Sequence, residues 1–213
     1  MTEQARTFLP AAGKDWLLPF YDPVVKLLGG DAARKILMDE ADLRTGQRVL
    51  EVGCGTGTLV LMMKRAHIGV EVVGIDPDPK ALARARSKTA QASATAHFDQ
   101  GFADDLPYPD GSFDRVLSSF MFHHLPTAEK GKFLAQVNRV LKTGGSLHLL
   151  DFEEASGMHS WLAHLFHASH QLEDNKKSRV LGLMTSAGLV GAEKVAERRM
   201  LLGRIAYYRA KSG

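Results

Sequence analysis

The chain has 213 residues, 45% hydrophobic and 24% charged, which is an ordinary balance for a folded globule long enough for a large core. No run approaches the roughly 18 apolar residues of a membrane-spanning helix, and residues 1–6 lack the charged-then-apolar layout of a secretory leader, so no membrane span is expected. The net charge of +3 is small and scattered; it predicts a solvated surface and no nucleic-acid partner, while leaving another anionic surface open.

Residues 16–23 form an aromatic stretch broken by Pro19 and Pro23. Within it Tyr21 either lines a pocket or packs on a sheet. Asp31 can cap a helix carrying Ala33, Ile36 and Leu37. Four short apolar runs, 48–52, 71–76, 113–119 and 146–151, read as strands buried on both faces, and 95–98 reads as a weaker one. Helical spacing fills the gaps: Leu59, Val60, Met62 and Met63 in 57–66, then 79–92 behind an Asp78–Pro79 start. A further helix is capped by Thr127, carries Phe133, Leu134, Val137, Val140 and Leu141, and stops at Gly144 and Gly145. Beyond residue 151 the pattern predicts helices over 157–171 and 176–187, then strands near 192–201 and 203–210 as an antiparallel hairpin. Strands alternating with helices predict an α/β fold with a parallel sheet, whose ligands sit at the carboxyl ends of the strands.

The run 48–52 breaks into Gly53-Cys54-Gly55-Thr56-Gly57 ahead of a helix. Glycine tolerates positive φ and lets the backbone approach a ligand. The helix start adds free N–H groups and the positive end of a dipole. A tight turn without a ligand has the same outline. A dinucleotide fingerprint would need a glycine where this chain has Thr58, which counts against a nicotinamide cofactor. The only cysteine, Cys54, cannot form an internal disulfide, as expected of a cytoplasmic protein.

The G-x-G-x-G run, with Glu51 before it and Asp76 closing the next strand, resembles motif I of the class I S-adenosylmethionine-dependent methyltransferases. The text Leu106-Pro107-Tyr108-Pro109-Asp110-Gly111-Ser112-Phe113-Asp114, His123-His124-Leu125 and Leu141-Lys142-Thr143-Gly144-Gly145 is similar to their small-molecule branch, near the ubiquinone/menaquinone-biosynthesis (type 11) enzymes. The resemblance implies a Rossmann-like, seven-stranded, mostly parallel sheet with helices on both faces and an antiparallel C-terminal hairpin. It implies one domain: a cap segment 1–30, a core 31–152, a lid-like insertion 153–175, and a helix and hairpin over 176–213. It implies S-adenosylmethionine as cofactor, with Gly53 and Gly55 beside its methionine part and Glu51 near its cationic amino end. A salt bridge at the strand end is the plainer role for Glu51, as a helix cap is for Asp76. Asp76 is expected on the ribose hydroxyls, and Pro77, Phe102, Ala103 and Ser118 complete the expected cofactor contacts. Phe102 departs from the pattern: close relatives carry an aspartate there, and a phenyl ring can pack on adenine or simply join the core.

Methyl transfer is an in-line displacement at an activated carbon, so the protein mostly positions the nucleophile and excludes water. His123 is the candidate base, although His-His-Leu recurs in this branch across unlike substrates and a structural role stays open. Tyr21, His123 and Trp161 are the candidates for the acceptor pocket. The four histidines of 157–171, at 159, 164, 167 and 170, lack convincing ligand spacing, so no metal is expected. The expected partner is a small-molecule methyl acceptor, and the protein is expected as a monomer or homodimer. Two alternatives stay open: a phospholipid or quinone methyltransferase at a membrane surface, and an inactive cofactor-binding module, which the Phe102 departure favours.

Overall fold

The computed structural model describes residues 18–67, 69–154, 177–200 and 203–213. The elements run α1 (Leu18–Leu27), α2 (Gly30–Ala41), β1 (Arg48–Val52), α3 (Thr58–Ala66), β2 (Glu71–Asp76), α4 (Pro79–Gln91) and β3 (His97–Gln100). They continue with β4 (Phe113–Ser119), α5 (Thr127–Val140), β5 (Leu141–Glu154), α6 (Lys177–Ser186), β6 (Val190–Met200) and β7 (Gly203–Lys211). The seven strands lie in the order β3-β2-β1-β4-β5-β7-β6. The first five are parallel, and β7 runs antiparallel between β5 and β6. This is the expected Rossmann-like sheet with its C-terminal hairpin. The chain order reverses between β1 and β4, where folds of this kind open a crevice.

Side-chain alternation along the strands sorts the core into two layers. Leu50, Val52, Ile75 and Val116 pack under α5 and α6 with Phe133, Val137, Val180 and Met184. Val49, Val72 and Leu117 pack on the opposite face with Leu37 of α2, Leu59 and Met63 of α3, and Leu82 of α4. Glu51 and Ser119 share the parity of Val49 and Leu117, so they project toward the α2 and α3 side. That parity decides which residues reach the site.

Several boundaries differ from the sequence expectation for identifiable reasons. Asp78 does cap α4, accepting from Lys80 N at 2.8 Å ahead of Pro79. Asp31 does not cap α2: Gly29 in the left-handed conformation holds that position, and Asp31 lies in the first turn. Pro126 likewise precedes Thr127 at the start of α5, with no side-chain cap bond. That helix ends at Val140, not at the glycine pair, because Leu141 already pairs with Phe113 across β4 and β5. β3 lies two residues further along than the 95–98 run, in register with β2 from Val73↔His97. The expected helix 157–171, Trp161 and the four histidines lie outside the described residues.

Candidate functional site

A cavity of about 490 Å³ opens where β1, β2 and β4 end. The glycine turn forms its floor. Gly53, Gly55 and Gly57 take φ values of 73°, 51° and 73°, which L side chains rarely adopt. Gly53 N and Cys54 N both donate to Ile75 O, at 2.9 and 3.1 Å, which ties the turn to the end of β2. A Cβ on Gly53 would come within 2.3 Å of Met121 Cγ, so the backbone passes close beneath a side chain of the cavity wall.

Asp76 stands at the end of β2. Its Oδ2 accepts from Gly55 N at 2.8 Å and its Oδ1 from Asp78 N at 3.0 Å. Burial pushes its carboxyl up to about 6, against the pull of those two backbone bonds. Each oxygen retains acceptor capacity, so the group can still receive hydroxyl donors.

Glu51 is 2% exposed and lines the cavity. Its Oε1 accepts from Ser119 Oγ at 3.4 Å, while Oε2 is buried with no hydrogen-bond partner. Burial pushes this carboxyl up to about 8, although Arg34 and Ser119 favour its charged form. An orphaned buried carboxylate oxygen is costly, and a cationic ligand group is what would satisfy it.

Pro77, Phe102 and Ala103 also line the cavity, with Asp104 beside them. Ser118 does not. It is fully buried with its hydroxyl on Val52 O at 3.0 Å, and the cavity position passes to Ser119. The reason is strand alternation, which turns neighbouring residues of β4 to opposite faces.

His123 is also displaced from the expected place. It is buried and absent from the cavity lining, which takes His124 instead. Asp151 holds His123 from behind: Oδ1 lies 2.5 Å from Nδ1, and Oδ2 accepts the His123 backbone N–H at 2.7 Å. The His123 and His124 rings lie with centroids 3.9 Å apart. Burial, then the charge of His123, holds the His124 imidazole well below the usual histidine range. Tyr21 lies in α1, and its side chain falls outside what is described.

Ser119 and Phe120, in the run after β4 that the sequence places toward the cofactor, line the cavity, Phe120 in the left-handed conformation with φ 57°; Arg34 of α2 lines it too and was not singled out from the sequence. Arg34 carried a legible signal, because it interrupts the buried stripe Gly30, Ala33, Leu37, Met38 and Ala41. Thr56 and Thr58 of the turn are bound from outside by Asp22 of α1, at 2.6 and 3.1 Å. Among the described residues no cluster of histidine, cysteine or acidic side chains could hold a metal ion, and no helix is long and apolar enough to cross a membrane.

Residues 49–145 match a family model described as a methyltransferase domain. The chain is 32% identical over 160 residues to a ubiquinone/menaquinone biosynthesis C-methyltransferase, UbiE, of Vibrio campbellii, covering 72% of this chain and 59% of that protein. It is 37% identical over 146 residues to a demethylmenaquinone methyltransferase of Deinococcus radiodurans, covering 67% of this chain and 60% of that protein. The chain thus spans about three-fifths of the length of these curated relatives. The crystal structure of the YcgJ protein from Bacillus subtilis superposes with a TM-score of 0.69 at 18% identity, over 85% of this chain and 98% of that one, a likeness of fold. Taken with the strand order and the glycine turn, these matches support a class I S-adenosylmethionine-dependent methyltransferase domain resembling the UbiE-type enzymes.

Proposed function

We propose that this chain transfers a methyl group from S-adenosylmethionine to a small organic acceptor held in the cavity at the ends of β1, β2 and β4. The observation that carries the reading is the buried Glu51 carboxylate with its unpartnered Oε2, placed beside the glycine turn and across from Asp76 in one cavity. Those residues suit the cofactor chemically. Glu51 would take the ammonium group, and Asp76 would accept from the ribose hydroxyls. The Phe102 ring would pack on adenine, with Asp104 supplying the carboxylate that the motif lacks at 102.

When bound, S-adenosylmethionine supplies a methyl carbon already activated by a sulfonium. What remains for the protein is to orient the acceptor and keep water out. Phe120, Met121, Leu125 and Pro126 form an apolar wall suited to that task. His124, held neutral, is placed to orient an acceptor by hydrogen bonding, and His123 with Asp151 positions the turn that carries it. The acceptor class follows the relatives, named for quinone biosynthesis: a flat, partly apolar ring. The buried cysteine supports a reducing, cytoplasmic location, and the reading keeps the chain as one domain, monomeric or homodimeric.

The test is calorimetric titration with S-adenosylmethionine and S-adenosylhomocysteine, with NAD as control, followed by turnover to S-adenosylhomocysteine with quinone precursors. Binding of the first two and not of NAD, with turnover, supports the proposal. Binding without turnover on any acceptor would favour a non-catalytic module.

A further inference from the structure

The described surface exposes two large apolar side chains, Leu27 at 85% and Val190 at 51%. They lie at opposite ends of the sheet. Val190 opens β6, in the rung that carries Lys211 and, across β7, Ser146. Leu27 closes α1 at the other end: a Cβ placed on Gly29 would lie 3.8 Å from Met200 Cε, and Met200 pairs with Gly203 where β6 gives way to β7.

That end of the hairpin is basic. Lys26, Arg198 and Arg199 are exposed, and none of their side chains makes an ion pair or hydrogen bond among the described residues. Arg199 stands across from Arg204 in the β6–β7 ladder, and like charges so placed disfavour the pairing. The acidic side chains nearby already face cations. Glu197 and Glu153 hold Lys194 at 2.6 and 2.7 Å, Arg204 leans on Glu153 at 3.5 Å, and Asp31 lies 3.7 Å from Arg34. Uncompensated positive charge therefore borders an exposed leucine. Arg204 also pairs with Glu154, the last residue of β5, so this is the sheet edge onto which the cavity opens. Three strand spacings, roughly 14 Å, separate β6 from β4. Helix α1 joins the two places, since its Asp22 binds the glycine turn and its last turn carries Leu27.

We propose that the last turn of α1 and the Met200 end of the β6–β7 hairpin form a docking surface for an anionic lipid bilayer. Lys26, Arg198 and Arg199 meet the headgroups, and Leu27 reaches below them. Interfacial binding of this kind adds buried apolar area to attraction for anionic lipid. Arg198 and Arg199 are neighbours on a strand and project from opposite faces of it, so an extended surface met end-on engages both. A single phosphate would not, and would leave Leu27 in water. The surface itself needs no cofactor. Its bearing on an apolar acceptor rests on the functional reading above: docking in this way turns the cavity edge toward the layer that dissolves such an acceptor.

The test is co-sedimentation of the intact protein with vesicles of phosphatidylcholine alone or mixed with phosphatidylglycerol, at low and high salt. Binding is expected to the mixed vesicles, weakened by salt, with little to phosphatidylcholine. Arg198→Gln combined with Arg199→Gln should weaken partitioning about thirty-fold, or about five-fold per cation lost. Leu27→Ser should weaken it at both salt concentrations, and Val190→Ser, at the far end of the sheet, should not. Thermal melts establish that each variant is folded. No binding of the unmutated protein to the mixed vesicles, or undiminished binding of the double variant, overturns the proposal. So does binding that inorganic phosphate abolishes at constant ionic strength while Leu27→Ser has no effect, which would mean a lone anion site. Equal retention on polyglutamate would mean an acidic protein partner and also overturns it. Titration with S-adenosylhomocysteine reports on the functional reading separately, since none of these residues lines the cavity.

Discussion

Asp76 Oδ2 accepts the backbone N–H of Gly55 at 2.8 Å, so the residue proposed to receive ribose also holds the glycine turn in shape. Replacing it by alanine removes both contributions. Asp76→Ala is expected to weaken S-adenosylhomocysteine binding by about 1–3 kcal/mol, the scale of hydrogen bonds to charged groups. Calorimetry checks this, and an unchanged affinity would contradict the role.

The Glu51 carboxyl gives cofactor binding a pH signature. Burial raises it to about 8 in the folded chain, so below that pH it carries a proton that an ammonium ligand must displace. Affinity for S-adenosylhomocysteine should therefore climb from pH 6 to 8 and level off above, with proton release visible in buffers of different ionisation heat. Glu51→Gln should flatten the profile. The ligand-free protein shows the opposite slope. Glu51, together with Asp76 raised to about 6, binds protons more tightly folded than unfolded, so their contribution to stability falls as pH rises from about 4 to 8. Melts of ligand-free and ligand-bound protein across that range check both signs.

Asp22 of α1 fastens the first described helix to the cofactor turn. Its Oδ2 lies 2.5 Å from Lys88 Nζ, and its Oδ1 accepts from Thr56 and Thr58. Burial works against the charge, but the hydrogen bonds from Lys88 and Thr56 outweigh it and hold the carboxyl below the usual range. The pair is partly exposed, so Asp22→Asn is expected to cost about 1 kcal/mol, less at high salt. A carboxyl held low stabilises the fold above its unfolded value near 3.8 and loses that contribution as pH falls through the folded value. Urea melts at pH 7 and at a series of lower pH values should show the mutational loss shrinking as the pH falls below about 3.8.

Gly53→Ala should be costly on two independent grounds. The φ of 73° costs an L residue about 1–2 kcal/mol, and the new Cβ meets Met121 Cγ at 2.3 Å. Met121 Cβ would also lie 2.6 Å from the new Cβ, so the same substitution in a Met121→Gly background should relieve the clash and leave the backbone strain. A double-mutant cycle on thermal stability separates the two; strict additivity would mean that the wall does not press on the turn.

Much of the sheet was legible because its determinants are local. Short apolar β-branched runs mark β1, β2 and β4, and Asp78 with Pro79 marks the start of α4 within a few residues of chain. The glycine turn is legible for the same reason, since its positive φ values demand glycine wherever the turn occurs. Its strand-turn-helix setting, with Asp76 at the end of the next strand, was enough to name the domain.

The composition of the cavity wall was decided by tertiary structure. Ser118 and Ser119 are alike in sequence, and only the packing of α2 and α3 on one face of β4 makes the second the cavity residue. His123 and His124 divide in the same way, because Asp151, 28 residues later in the chain, takes the first and leaves the second at the cavity. Arg34 meets Ser119 across 85 residues of sequence, and Asp22 meets Lys88 across 66. Periodicity states that a side chain is buried or exposed, but not what it is buried against. That depends on which helix is laid over which strand end, and is set only when the whole sheet has assembled.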